Sequence, residues 1–264
     1  MIHGRPGAAA QVVGEIEARV IAGTGRDLPP VPPSAALALG PTHRVTLGSV
    51  ALTLLRKYRA RTVLGLILMV SQAFLYNAVF FTYALVLTHF YGVAADRVGL
   101  YILRLAAGNF VGPLLLGPLF DSLGRKTMIC ATYALSGAML AVTGGLFQAG
   151  LLDATTQTAL WCVVFFFASA AASAAYLTVG ECFPLEIRAL TIALFYAVGT
   201  LLGGVAGPWL FGRLIESGGP HAIVVGYLIG AALMLAAAVV AARLGVSAEG
   251  RSLEEVAPPL SCAG

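Results

Sequence analysis

Six long apolar runs follow one another at about 62–90, 98–120, 127–149, 157–180, 189–212 and 222–244. Each is long enough to cross about 30 Å of hydrocarbon at 1.5 Å per residue. Inside a bilayer no water satisfies backbone N–H and C=O groups, so each run must bond within itself as an α-helix. The predicted fold class is therefore an all-α membrane protein with six transmembrane helices. Composition points the same way: 59% of the residues are hydrophobic and 11% charged, whereas a soluble domain carries about 25% charge.

Three regions follow: a linker-like tail with a short surface helix at 1–61, a six-helix bundle at 62–244 and a C-terminal tail at 245–264. No signal peptide is expected. In the first tail, Gln11 to Val20 has the pattern of an amphipathic helix, and the prolines of "DLPPVPPSAALALGP" break it. "SVALTLLRKYRARTV" predicts a helix on the membrane surface, with Leu52, Leu54 and Leu55 towards lipid. Basic residues set the orientation. Arg44, Arg56, Lys57, Arg59, Arg61, Arg125, Lys126, Arg188, Arg243 and Arg251 fall on one side, against Arg97 and Arg213 on the other. Both termini are expected in the cytoplasm, at the inner membrane of a cell. The net charge of +4 then needs no nucleic-acid partner. Cys130, Cys162, Cys182 and Cys262 show no metal-ligand spacing, and three sit in or beside apolar runs as small packing residues.

Small residues recur at fourth positions: Gly108 and Gly112, Ser169 and Ser173, Gly199, Gly203 and Gly207, Gly226 and Gly230. This spacing lets helix backbones approach closely in lipid. The polar residues are few. Gln72 and Asn77 in the first run and Asn109 in the second are amides, costly in a bilayer unless they face protein or water. Arg104 lies about six residues inside the second run, roughly 9 Å deep. It either snorkels outward or faces a cavity, where it would favour an anionic solute. No H-E-x-x-H, G-x-S-x-G or intramembrane carboxylate pair points to an enzyme, and no residue pattern points to a cofactor.

Two charged links carry the most information. "GPLFDSLGRKTMI" puts Asp121 at a helix end beside Arg125 and Lys126, with a tight turn at Gly124 that requires φ > 0. "VGECFPLEIRAL" places Glu181, Pro184 and Arg188 between two apolar runs. Gly117, Asp121, Gly124, Arg125 and Lys126 match the G-x-x-x-D-x-x-G-R-[RK] signature of the major facilitator superfamily, and Glu181, Pro184 and Arg188 match the E-x-x-P-x-x-x-R loop of its sugar porters. Gln72 and Asn77 resemble the Q-x-x-x-x-N-A of the same proteins. Asn109 stands twelve before Asp121 and Tyr176 five before Glu181, where sugar porters place cavity residues. Ser122 departs from the signature's usual arginine, Ala168 from an acidic residue, and Thr200 from an aromatic twelve after the loop arginine.

The resemblance covers about 45–245 and implies the C-terminal six-helix half of a transporter, with an N-terminal half missing from the sequence. It implies transport of a small polar metabolite, a sugar or an organic acid, with Gln72, Asn77, Asn109 and Tyr176 at the substrate; Arg104 joins them as a candidate from its depth in the second run. It also implies a cytoplasmic gating network of Asp121, Arg125, Lys126, Glu181 and Arg188, in which Glu181 and Arg188 pair. The other expectation is a membrane protein without transport activity, a remnant or partner subunit.

Overall fold

The computed structural model describes residues 6–28, 46–217, 219–246 and 253–260. Most of the proline-rich stretch, and Arg44, Arg251 and Cys262, lie outside the described residues. The chain divides into two units, Met1–Arg44 with Pro258–Gly264, and Val45–Ala257. The first contains α1 (Pro6–Thr24), which spans the predicted amphipathic segment.

The second unit is a helical bundle. After α2 (Leu47–Arg56) come α3 (Arg59–Leu75) and α4 (Phe81–Tyr91), joined by a π-helical segment at Tyr76–Phe80. Then follow α5 (Ala95–Ser122), α6 (Arg125–Gln148) and α7 (Ala154–Cys182). The fifth span is α8 (Leu185–Gly199) and α9 (Ala206–Glu216) around a second π segment, Thr200–Val205. The sixth is α10 (Pro220–Leu244), and α11 (Leu253–Val256) is a single turn. Among the described residues six helices are thus long and apolar enough to cross a membrane; five lie within a few residues of their expected runs, and the first, Arg59–Phe80, reaches the end of its run at 90 only with α4.

Local chemistry sets the breaks. Gly92, Gly124 and Gly150 take φ of 63°, 93° and 66° between consecutive helices, a region that L side chains avoid. Asp153 opens α7 by accepting from the Thr156 N–H in a capping box; that bond holds its carboxyl below the usual aspartate range. Phe183 is extended, as a residue before proline must be, so α7 stops there and Pro184 caps α8.

The core lies among α3, α6, α7 and α10, around the fully buried Trp161, Tyr83, Tyr133, Tyr227 and Phe165. Tyr133 donates to the Leu68 carbonyl at 3.0 Å and Ser71 to that of Leu233 at 3.0 Å, tying α6 and α10 to α3. The glycine stripes of α5 and of the fifth span face backbones, while Gly226 and Gly230 of α10 meet side chains of Phe211 and Leu140. A Cβ on Gly112 would fall 2.0 Å from the Phe166 carbonyl oxygen of α7, and one on Gly203 2.5 Å from that of Val70 in α3. The surface-helix expectation needs one correction. Leu52 and Leu55 are exposed, but Leu54 and Val50 are each 1% exposed and pack into the bundle, because α2 folds back onto α3 and α8. Two spans are sparsely packed: α5 is 17% buried and the fifth span 22%, against 44% to 56% for the other four.

Candidate functional site

Between α3, α5, α7 and α8 lies a cavity of about 490 Å³, and Gln72, Asn77, Asn109 and Tyr176 all line it. Gln72 is anchored by its Nε2, which donates to the Ala168 carbonyl at 3.1 Å. Its Oε1 is buried without a hydrogen-bond partner. A buried acceptor left unmade costs about 1–3 kcal/mol. Asn77 sits in the first π segment and donates Nδ2 to the Ala73 carbonyl at 2.7 Å.

The wall also contains groups that the sequence did not place at the substrate. Tyr76 donates its hydroxyl to Asn109 Oδ1 at 2.6 Å, and Ser169 Oγ donates to the Asn109 carbonyl at 2.5 Å. Tyr196 and Thr200 close the side formed by the fifth span. The aromatic expected at 200 is supplied one turn earlier, by Tyr196, whose ring lies 6.4 Å from that of Tyr176. Ala168, where an acid was expected, contributes its carbonyl to Gln72 instead. Tyr76 and Tyr196 lie four positions from Gln72 and Thr200, a helical spacing from which both could have been found.

Arg104 does not line this cavity. Its side chain is exposed, with the guanidinium 5.1 Å from the Tyr101 ring centre. It stands nine residues into α5, or about 13 Å at 1.5 Å per residue. Among the described residues the lining has no carboxylate, lysine, arginine or histidine.

At the other end of these helices the charges meet, though not as expected. Arg125 is bonded to Glu181, with their side chains 26% and 20% exposed, and lies 3.8 Å from Asp121, which is 80% exposed. Arg188 does not pair with Glu181. Its Nε donates to the Phe183 carbonyl at 3.2 Å, while Arg61 donates Nη1 to the Cys182 carbonyl at 2.7 Å. Both cations therefore satisfy carbonyls at the C-terminus of α7, the negative end of its dipole. Lys126 lays its stem against Gly245, at the C-terminus of α10, in the same kind of place. Arg61 was expected only as a topology anchor; its spacing from α7 in sequence hid this contact. A smaller cavity of about 180 Å³ reaches Asp121 and Arg125, and shares Pro113 and Ser173 with the larger one.

A comparison with curated proteins finds no match to this chain. A protein-family model described as "Sugar (and other) transporter" matches residues 40–259, a stretch that takes in all six spans and every cavity and charged-link residue named above. A multi-pass helical membrane protein with a polar cavity between its spans, the chain belongs to the sugar (and other) transporter family.

Proposed function

We propose that this chain moves a small, uncharged, hydroxyl-rich solute, a sugar or polyol, across the inner membrane, as one six-helix half of an alternating-access transporter with both termini cytoplasmic. The observation that carries the reading is the cavity lining, which among the described residues holds the amides of Gln72, Asn77 and Asn109 and the hydroxyls of Tyr76, Tyr176, Ser169 and Thr200 but no charged side chain. The amides and hydroxyls of Gln72, Asn77, Asn109, Tyr76 and Ser169 offer the alternating donors and acceptors a polyol needs. An organic acid would bring a charge with no cation to meet it. The volume suits a small ligand, since such sites run roughly 300–1,000 Å³.

The cytoplasmic gate in this proposal is the Arg125–Glu181 contact with Asp121, where the small cavity that continues the large one ends. The ten-to-two basic bias supports the orientation. α5 and the fifth span, the two least-buried spans, both line the cavity, and in this proposal a second six-helix unit covers that side. Uptake into vesicles of labelled neutral hexoses and polyols, beside sugar acids of the same carbon skeleton, tests the substrate class. Saturable uptake of a neutral compound but not its acid is the expected result. Selective uptake of the acid would refute it, and no uptake of either class would favour a non-transporting partner.

A further inference from the structure

We propose that Arg61 is a positioning residue of the inner gate: it clamps the C-terminus of α7 to α3 and so holds the Glu181 carboxylate at Arg125. The inference rests on the Arg125–Glu181 gate of the transport proposal and adds to it a residue outside the gate pair.

A helix leaves its last four carbonyls without helical partners. Beyond α7 the chain supplies little in their place, because Phe183 is extended and Pro184 carries no N–H. Arg61 Nη1 donates to the Cys182 carbonyl at 2.7 Å, across 121 positions of sequence. This is a charge-assisted bond at the negative end of the α7 dipole. Glu181, the residue before, bonds to Arg125 of α6. Residues 181 and 182 are thus held by two different spans, one through a side chain and the other through the main chain. Release of the main-chain hold frees the last turn of α7, and the carboxylate moves with it. Arg188 differs. It reaches the Phe183 carbonyl from five positions further on, so it caps α7 locally and does not tie it to α3.

Further contacts fix Arg61 in place. Its guanidinium lies 5.5 Å from the centre of the Tyr58 ring. That ring meets the fully buried Phe183 edge-on at 5.9 Å, and Phe183 meets Phe195 of α8 at 5.6 Å. Tyr58 stands at the corner between α2 and α3, which Thr62 fastens by donating to the Leu54 carbonyl at 3.1 Å. One turn beyond Arg61, a Cβ on Gly65 would fall 2.4 Å from the Phe195 ring and 3.1 Å from Val179. α3 therefore runs hard against α7 and α8 at this level. A planar guanidinium stacks on Tyr58 while its N–H reaches the carbonyl, which a lysine ammonium cannot do. A residue that only marked the cytoplasmic side would need none of these contacts, and nine other basic residues mark that side already.

The test reads the inner cavity. Gly117 lines the small cavity and has open space at its Cβ position. Gly117→Cys, in a full chain with native cysteines replaced by alanine, therefore serves as the probe. Its labelling rate by a membrane-impermeant maleimide is measured in everted vesicles, alone and with Arg61→Ala, Glu181→Gln or both. Arg61→Ala is expected to speed labelling about fivefold, as Glu181→Gln does. The double variant should stay within about twofold of either single one, and a C-terminal tag should keep its side of the membrane. A raised rate in Glu181→Gln beside an unchanged rate in Arg61→Ala would overturn the clamp and leave the gate standing. Effects that multiply in the double variant would also overturn it, since Arg61 would then act elsewhere. So would a tag that changes sides, the mark of a topology anchor, or a lowered melting temperature without faster labelling, the mark of a purely structural contact. An unchanged rate in Glu181→Gln would refute the gate, and this inference with it. If Arg61→Ala does not accumulate in the membrane, Tyr58→Leu decides. It keeps the cation and removes the ring beneath it, and should raise labelling about twofold without adding to Glu181→Gln. A rate equal to that of the parent chain would overturn the proposal.

Discussion

Arg125, the first residue of α6, bonds to the Glu181 carboxylate in the last turn of α7, across 56 positions of sequence. Arg125 also lines the small cavity, beside Asp121. Both side chains are about three-quarters shielded, so the attraction is worth on the order of 1 kcal/mol.

Glu181→Gln should therefore raise the reactivity of a cysteine probe placed in the inner cavity and slow uptake, with the fold retained. A shift of about 1.4 kcal/mol changes a two-state ratio tenfold. Arg125→Ala should give the same effect, and the double variant little more, because both act on one contact. Unchanged probe reactivity in both single variants would show that the pair is no gate.

Arg188→Ala should behave differently. It removes a donor from the Phe183 carbonyl, not a partner from Glu181. Its effect should add to that of Glu181→Gln within about 0.5 kcal/mol in a thermal-unfolding cycle. Strong non-additivity would restore the Glu181–Arg188 pair that the family resemblance implies.

Gln72→Ala should weaken binding of a neutral solute roughly fivefold to tenfold, the worth of one hydrogen bond of about 1 kcal/mol. Arg104→Ala should leave solute affinity within twofold, since Arg104 stands outside the cavity. Equilibrium dialysis of the labelled solute reads both. Equal losses would put the site near Arg104 instead.

Gly112→Ala should lower the melting temperature in detergent, because its new methyl would meet the Phe166 backbone at 2.0 Å. Overpacking of this kind costs typically 1–3 kcal/mol. Gly117→Ala, on the same helix, has nothing within 4 Å of its Cβ position and should melt near wild type.

The six spans were legible because transfer into hydrocarbon acts on whole runs, and prolines and glycines mark the breaks. Gln72, Asn77, Asn109 and Tyr176 were legible as polar groups in places where lipid excludes them, and they share one cavity. Their neighbours Tyr76 and Tyr196 were legible only through their four-residue spacing from Gln72 and Thr200, since a tyrosine in a span is by itself equally at home in the core or at the interface. The pairing of charges was only half legible. Spacing brings Arg125, Glu181 and Arg188 to one end of the bundle, but which carboxylate or carbonyl each arginine reaches depends on where α7 frays. The buried Leu54 was missed for a related reason: a surface helix and one folded back on the bundle have the same apolar stripe.

The π segments at Tyr76–Phe80 and Thr200–Val205 bear on how this chain could have changed over generations. A residue gained within a regular membrane helix rotates everything beyond it by about 100°, turning lipid-facing side chains inward. A π segment holds one additional residue locally and keeps both flanks in phase. The first and fifth spans are thus the places where this bundle can gain or lose a single codon without scrambling its packing. Both segments border the cavity through Asn77 and Thr200, so such a change would alter the wall that meets the solute while the rest of the helix stayed in register.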